Sequence, residues 1–199
     1  MEFDGMNEII FKARRRVYPV IRKYYGEGDL LDLLEIHSEC VARKALETAA
    51  VVREKIDLKF VAEASLLHDI GIIRCYAPDI YCNGQLPYIC HGVAGREMLE
   101  QMELPRHALV CERHTGSGLS EEDIIRQKLP LPLRDMCPRS VEERLICYAD
   151  KFFSKSGNPA EEKTLPSVEQ SIRRHGEDSY IRFMALVKEF DSETGLFGK

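Results

Sequence analysis

Apolar residues in this 199-residue chain recur at steps of three and four almost from end to end, and the strict alternation of a half-buried strand is nearly absent. That period commits the backbone to helices whose apolar stripes can be buried only against one another. The expected fold class is all-α, a bundle of about seven to nine helices.

Residues 5–25 predict an amphipathic opening helix rich in Arg and Lys, ended by Gly26 and Gly28. Residues 29–55 predict a long helix with Leu30, Leu34, His37, Val41, Ala45 and Ala49 along one side. Asp57 is placed to cap a helix over 58–69 that buries Phe60, Val61, Ala64, Leu67 and His68 before Gly71 breaks it. Two prolines and an Asn-Gly pair in "CYAPDIYCNGQLP" (75–87) predict a loop long enough to border a site. Further helices are expected over 87–102, 105–115, 120–128, 140–155, 166–175 and 177–190, with an extended connection where "LPLPLRDMCPRS" (129–140) carries three prolines. The organisation expected is an N-terminal helix (1–28) packed on a central unit (29–156), continued by a C-terminal helical extension (157–199).

Composition narrows the partners. The net charge is −5, and 28 basic residues are scattered among 33 acidic ones without forming a stripe, which argues against nucleic acid as the main partner. The seven cysteines contain no C-x-x-C and mostly sit beside apolar residues, so they read as reduced core thiols of a cytoplasmic protein. No apolar run is long enough to span a bilayer, and "MEFDGMNEII" opens with two acids instead of a basic leader, so neither secretion nor a membrane anchor is expected. A homodimer is left open.

Against that background, four histidines and two aspartates are conspicuous. His37 in "LLEIHSEC", His68 and Asp69 in "SLLHDIG", His91 in "PYICHGVAG", His114 in "VCERHTGSG" and Asp150 in "RLICYADKFF" each follow or interrupt an apolar helical face. Taken singly, each is more often a hydrogen-bonded core residue. An ionised carboxylate among such neighbours nonetheless costs several kcal/mol unless paired or bound to a metal. Six such placements on five different helices are satisfied together by one divalent metal site. Imidazole and carboxylate without thiolate suit Fe, Mn, Co, Ni or Zn. Six ligands exceed the need of one catalytic ion that keeps positions open, so two metals bridged by Asp69 use them better.

The order His37, His68-Asp69, His91, His114, Asp150 resembles the HD superfamily of metal-dependent phosphohydrolases in its six-ligand, two-metal form, over roughly residues 30–155. The resemblance implies an HD-domain helical bundle with His37, His68, Asp69 and Asp150 as a first ligand set and His91 and His114 as additions for a second metal. It further implies hydrolysis of a nucleotide or other small phosphorylated metabolite by a metal-bridging hydroxide, with Asp69 at the centre of catalysis and iron first among the metals. "HGVAG" and "HTGSG" are similar to phrases in small bacterial HD hydrolases that split diadenosine tetraphosphate, and the outline is similar to small stand-alone HDIG proteins. HD-GYP phosphodiesterases carry Lys after "HDIG"; here that position is Ile72 and "GYP" is absent, which argues against a cyclic dinucleotide substrate. The same ligand order also resembles mixed-valent diiron oxygenases, and a metal-retaining sensor without turnover is a third reading.

Phosphoryl oxygens need cationic or N–H partners. Arg74, Arg113 and Lys151 adjoin expected ligands; in "HTGSG" Gly116 reads first as the helix C-cap, a reading compatible with Thr115 and the backbone after it donating to a phosphate. Arg134 and Arg139 are candidates for a lid, though an ordinary surface connection is the plainer reading. His107 is a candidate partner of His114 or a plain core residue, and His175, at a predicted helix end, is assigned no chemistry.

Overall fold

A computed structural model describes residues 3–52 and 54–191. Residues 1–2, 53 and 192–199, including the ends of the predicted N-terminal segment and C-terminal extension, lie outside the described residues. Nine α-helices are present among the described residues: α1 (Phe3–Arg22), α2 (Asp29–Ala49), α3 (Leu58–Leu67), α4 (His91–Glu100), α5 (Pro105–Arg113), α6 (Glu121–Gln127), α7 (Val141–Asp150), α8 (Leu165–Arg173) and α9 (Glu177–Phe190). The fold is all-α, and the only strands among the described residues are an antiparallel pair of two residues each, β1 (Tyr76–Ala77) and β2 (Cys82–Asn83), within the expected 75–87 loop. No described helix is long and apolar enough to cross a membrane.

Helices α2, α3, α5 and α7 pack on one another around a shared apolar core, with α1 laid against α3 and α2, α4 against α5, and α8 and α9 closing the α7 side. The α2 stripe is buried as its spacing requires: Leu34, His37, Val41 and Ala45 are almost inaccessible. Asp57 Oδ1 accepts from the Phe60 amide at 3.1 Å, the side-chain cap expected for α3.

Several helices are shorter than their apolar periods suggest. α2 stops at Ala49, just before the β-branched pair Val51-Val52. α1 stops at Arg22, and the chain beyond it brings Tyr25 into the core, where its hydroxyl donates to Ile70 O at 2.8 Å and accepts from Ile73 N at 3.2 Å. That hydroxyl holds the 3₁₀ turn Ile70–Arg74, which directly follows Asp69. The expected helix over 87–102 is a 3₁₀ turn, Tyr88–Cys90, feeding α4. α7 ends at Asp150, five residues early, and beyond it the chain bends through Lys155, Ser156 and Gly157 (φ +78°). All seven cysteines are free thiols, five of them buried.

Gly71 sets how closely the 3₁₀ turn approaches α4. A Cβ there would lie 2.1 Å from His91 O and 2.3 Å from Gly95 N, backbone atoms that cannot swing aside. Gly71→Ala is expected to destabilise the fold by about 3 kcal/mol, lowering Tm by roughly 6–12 °C in a thermal melt. An unchanged Tm would show that this approach is not tight.

Candidate metal centre

The six expected donors come from five helices and meet in the core. His37 projects from the middle of α2, His68 and Asp69 follow the end of α3, His91 opens α4, His114 follows α5, and Asp150 is the last residue of α7. All six are buried, His37, His68 and Asp69 completely. Adjacent residues inside a helix point about 100° apart. His68 and Asp69 converge because α3 ends at Leu67 and Asp69 takes φ −105°, ψ 11°, outside helical geometry.

The donors form two groups that share one carboxylate: His37, His68, Asp69 and Asp150, and Asp69, His91 and His114. Asp69 Oδ2 lies 3.2 Å from His37 Nε2 and 3.0 Å from His68 Nε2, while Oδ1 lies 3.4 Å from His114 Nε2 and 3.6 Å from His91 Nε2. Asp150 Oδ1 lies 3.1 Å from His37 Nε2 and 3.4 Å from His68 Nε2. First-row metals bind N and O ligands at about 2.0–2.2 Å, which puts neighbouring donors roughly 3.0–3.5 Å apart.

The tautomers point the same way. His68, His91 and His114 each donate from Nδ1 to the carbonyl three residues earlier, Ser65 O, Tyr88 O and Cys111 O, at 2.6, 2.7 and 2.8 Å. A backbone bond at Nδ1 leaves Nε2 as the lone-pair donor. His91 Nε2 and His114 Nε2 face each other at 3.1 Å, and His68 Nε2 and Asp69 Oδ1 lack hydrogen-bond partners. Facing lone pairs and an unpartnered buried oxygen fit divalent cations, and the set is all imidazole and carboxylate.

Protein cations partly answer this demand for positive charge. Lys155 Nζ sits 2.5 Å from Asp69 Oδ2 and Lys151 Nζ 2.6 Å from Asp150 Oδ2. Burial penalises the charge on both carboxylates, but Lys155 and His68 at Asp69, and Lys151 and Lys155 at Asp150, hold them well below the usual carboxylate range. Burial likewise opposes the charge on His68, yet Asp69 and Asp150 push it up to about 9, whereas burial and the neighbouring His114 pull His91 down to about 3.

The profile of the HD domain matches residues 34–154, more than half of the chain. The chain belongs to the HD domain family. Members of that family are generally metal-dependent hydrolases, in keeping with the buried His/Asp groups. This HD protein is 34% identical over 124 residues to a protein of Picrophilus torridus named tRNA (cytidine(56)-2'-O)-methyltransferase, an alignment covering 62% of this chain and 32% of that one. It is 34% identical over 121 residues to an uncharacterized protein of Methanocaldococcus jannaschii, covering 59% and 64%. A Thermoplasma volcanium protein, also named tRNA (cytidine(56)-2'-O)-methyltransferase, is 27% identical over 201 aligned positions, covering 97% and 54%. The chain thus spans between a third and two thirds of the lengths of these relatives. No solved structure matches it.

The HD centre opens on a cavity of about 360 Å³. Thr115 and Lys151 line it; Thr115 Oγ1 is 3.5 Å from His91 Nε2, and Lys151 Nζ donates to His114 O at 3.1 Å. Arg74 and Arg113 are not among its lining residues: Arg74 pairs with Glu97 at 3.1 Å, and Arg113 is held by Glu143 at 2.9 Å. Arg134 pairs with Glu112 and Arg139 with Asp135, so neither reaches the cavity. His107 meets Glu63 at 3.5 Å and packs edge-on against Phe60, a core role away from the metal ligands. Gly116 does adopt a positive φ of +60°, but the C-cap of α5 is His114. Ile72 is wholly buried and offers the cavity no charge.

Lys155, Tyr88, Arg182 and His175 also line this cavity, and sequence reasoning assigns chemistry to none of them. Lys155 is hidden in the sequence because 140–155 reads as one helix. Tyr88 stacks on His91, with centroids 4.8 Å apart, and Arg182 of α9 is fixed by Asp123 at 2.5 Å and by Gly118 O at 3.1 Å. His175, just beyond the end of α8, stands in the cavity wall.

Elemental analysis of purified variants separates the two donor groups. If each donor group holds one ion, His91→Ala and His114→Ala should each lower metal content from two ions per chain to one, and Asp69→Ala should abolish both. Equal content in wild type and His91→Ala would refute a second metal.

Proposed function

We propose that this HD protein is a metal-dependent phosphohydrolase acting on a nucleotide or similar small phosphorylated metabolite in the cytoplasm. The observation that carries the reading is the pair of donor groups sharing Asp69 and opening on a cavity with lysine and arginine in its wall. Two divalent ions held by His37, His68, Asp69, His91, His114 and Asp150, with iron the first choice, would supply an acidified water and polarise a phosphoryl oxygen.

The chain's own residues do the rest. The Nδ1 bonds of His68, His91 and His114 fix the rings before any ligand arrives, so little ordering remains to be done on binding. Lys151, anchored on His114 O, and Arg182, anchored on Asp123, offer charge to the phosphoryl oxygens left free, and Thr115 adds a hydroxyl beside His91. Ile89, Leu119 and Leu129 form an apolar side on which a base can rest and from which water is displaced.

The diiron oxygenase reading uses the same six donors; the cationic wall favours an anionic ester as the reacting group. Because two relatives bear the names of enzymes acting on tRNA, RNA fragments belong in the substrate panel beside free nucleotides. Protein stripped with chelator and reloaded with Fe(II), Mn or Co is expected to release phosphate from a member of this panel, and Asp69→Asn to lower kcat by at least about 100-fold. No release with any metal, together with oxygen uptake by the iron form alone, would overturn hydrolysis in favour of the oxygenase. Undiminished cellular function of Asp69→Ala would point to the non-catalytic sensor.

A further inference from the structure

A second lobe of about 340 Å³ adjoins the first. The two share Tyr88, Gly116, Asp150, Lys151, Lys155 and His175, so a ligand at the metal ligands can reach both. The lobes differ in character. Where the first is flanked by Ile89, Leu119 and Leu129, the second is ringed by Ser154, Ser156, Ser171 and Lys163 above the buried Val168 and Ile172.

Lys163 is the telling residue. It is half-buried, and among the described residues it has no ion-pair partner, whereas Lys151 and Lys155 are each held by a ligand carboxylate. Among the described residues, Asp150 is the only acidic one lining this lobe, in a chain that carries 33 of them. Burial above all, with Lys151 and Lys155 adding to it, pulls the Lys163 amine below the ordinary lysine range although Asp150 opposes this. With Lys151 and Lys155 each compensated by a ligand carboxylate, Lys163 is the ammonium of this lobe left to meet an incoming anion. Neutral donors are in place for one: the Ser154 and Ser156 hydroxyls lie 3.0 Å apart, and the Ser156 amide donates to Ser154 Oγ at 3.4 Å, which ties the two together.

We propose that this lobe is an anion subsite for a second phosphate of the substrate, so that the substrate class is a nucleotide carrying two phosphoryl groups, one cleaved at the metal centre and one held by Lys163 and the serines. The proposal rests on the hydrolase reading for the first phosphate. The subsite is built largely outside the stretch that matches the HD domain: Lys155, Ser156, Lys163, Ser171 and His175 all follow residue 154. The metal ligands therefore belong to what this chain shares with its family, and the second-phosphate contact to the segment that follows.

Binding tests the subsite apart from turnover. Full-length, chelator-treated protein is titrated calorimetrically with AMP, ADP and adenosine 3',5'-bisphosphate, in wild type, Lys163→Met and Lys163→Arg. At least one of the two-phosphate nucleotides is expected to bind about tenfold more tightly than AMP, since a charge-assisted bond of ordinary strength corresponds to about that factor. Lys163→Met should bring the ratio to about one, and Lys163→Arg should keep most of the preference. A wild type that does not discriminate, or a Lys163→Met protein that keeps the preference, would overturn the proposal. With metal restored, Lys163→Met should raise KM for the two-phosphate substrate at nearly constant kcat. If the binding preference holds but nothing is hydrolysed, the subsite stands and the hydrolase reading falls; hydrolysis without any binding preference leaves the hydrolase reading standing and overturns the subsite.

Discussion

The Asp69 carboxylate is wholly buried, and the rest of the site is arranged around it. Leaving it ionised in an apolar core costs several kcal/mol unless cations or donors surround it. Four imidazoles from α2, α3, α4 and α5 do so, two on each oxygen, with Lys155 beside Oδ2. Bringing them there requires α3 to end at Leu67, α4 to begin at His91 and α5 to end at Arg113. Three of the histidines then use one device: at a helix terminus, Nδ1 takes the carbonyl three residues back. Each bond satisfies a carbonyl near a helix boundary and aims Nε2 at the centre. Local backbone chemistry and site geometry are thus one arrangement, with the Tyr25 hydroxyl and the close Gly71–α4 approach holding its flank.

The six donors were legible in the sequence because ionisable groups in apolar helical stripes are conspicuous, and their number exceeded what isolated core hydrogen bonds explain. The helical class was legible for the same reason, since the 3.6-residue period dominates the chain. Direction was not legible. Arg74 and Arg113 adjoin ligands in sequence, yet a side chain's heading depends on the turn it leaves, and both meet carboxylates elsewhere. Lys155 is hidden because an apolar period running to 155 does not reveal that α7 ends at Asp150 and that the chain then bends beside the site. His175 escaped because its place in the wall depends on how α8 and α9 pack, which involves contacts far apart in sequence.

The C-terminal layer gives the site its outer wall. Asp123 in the first turn of α6 closes a capping box with Ser120 and also binds Arg182 of α9, which in turn donates to Gly118 O. One buried carboxylate thereby ties α6, α9 and the turn after His114 together. The anchored guanidinium faces the cavity without being free to leave it.

Five buried carboxylates among the described residues fall into two kinds, and the difference separates structure from function. Glu112 is held by Arg96 and Arg134, Asp123 by Arg126 and Arg182, and Glu143 by Arg113 and the Arg139 amide. Arginine keeps its charge at any accessible pH and locks a carboxylate with a planar fork, which suits a permanent joint. Among the described residues, Asp69 and Asp150 meet no arginine; their partners are imidazoles and the two lysines. An imidazole can exchange a proton for a metal, and a lysine on its flexible stem can swing from carboxylate to phosphate. The chain places arginine at joints that must stay closed and reserves exchangeable partners for the two carboxylates whose partners must change.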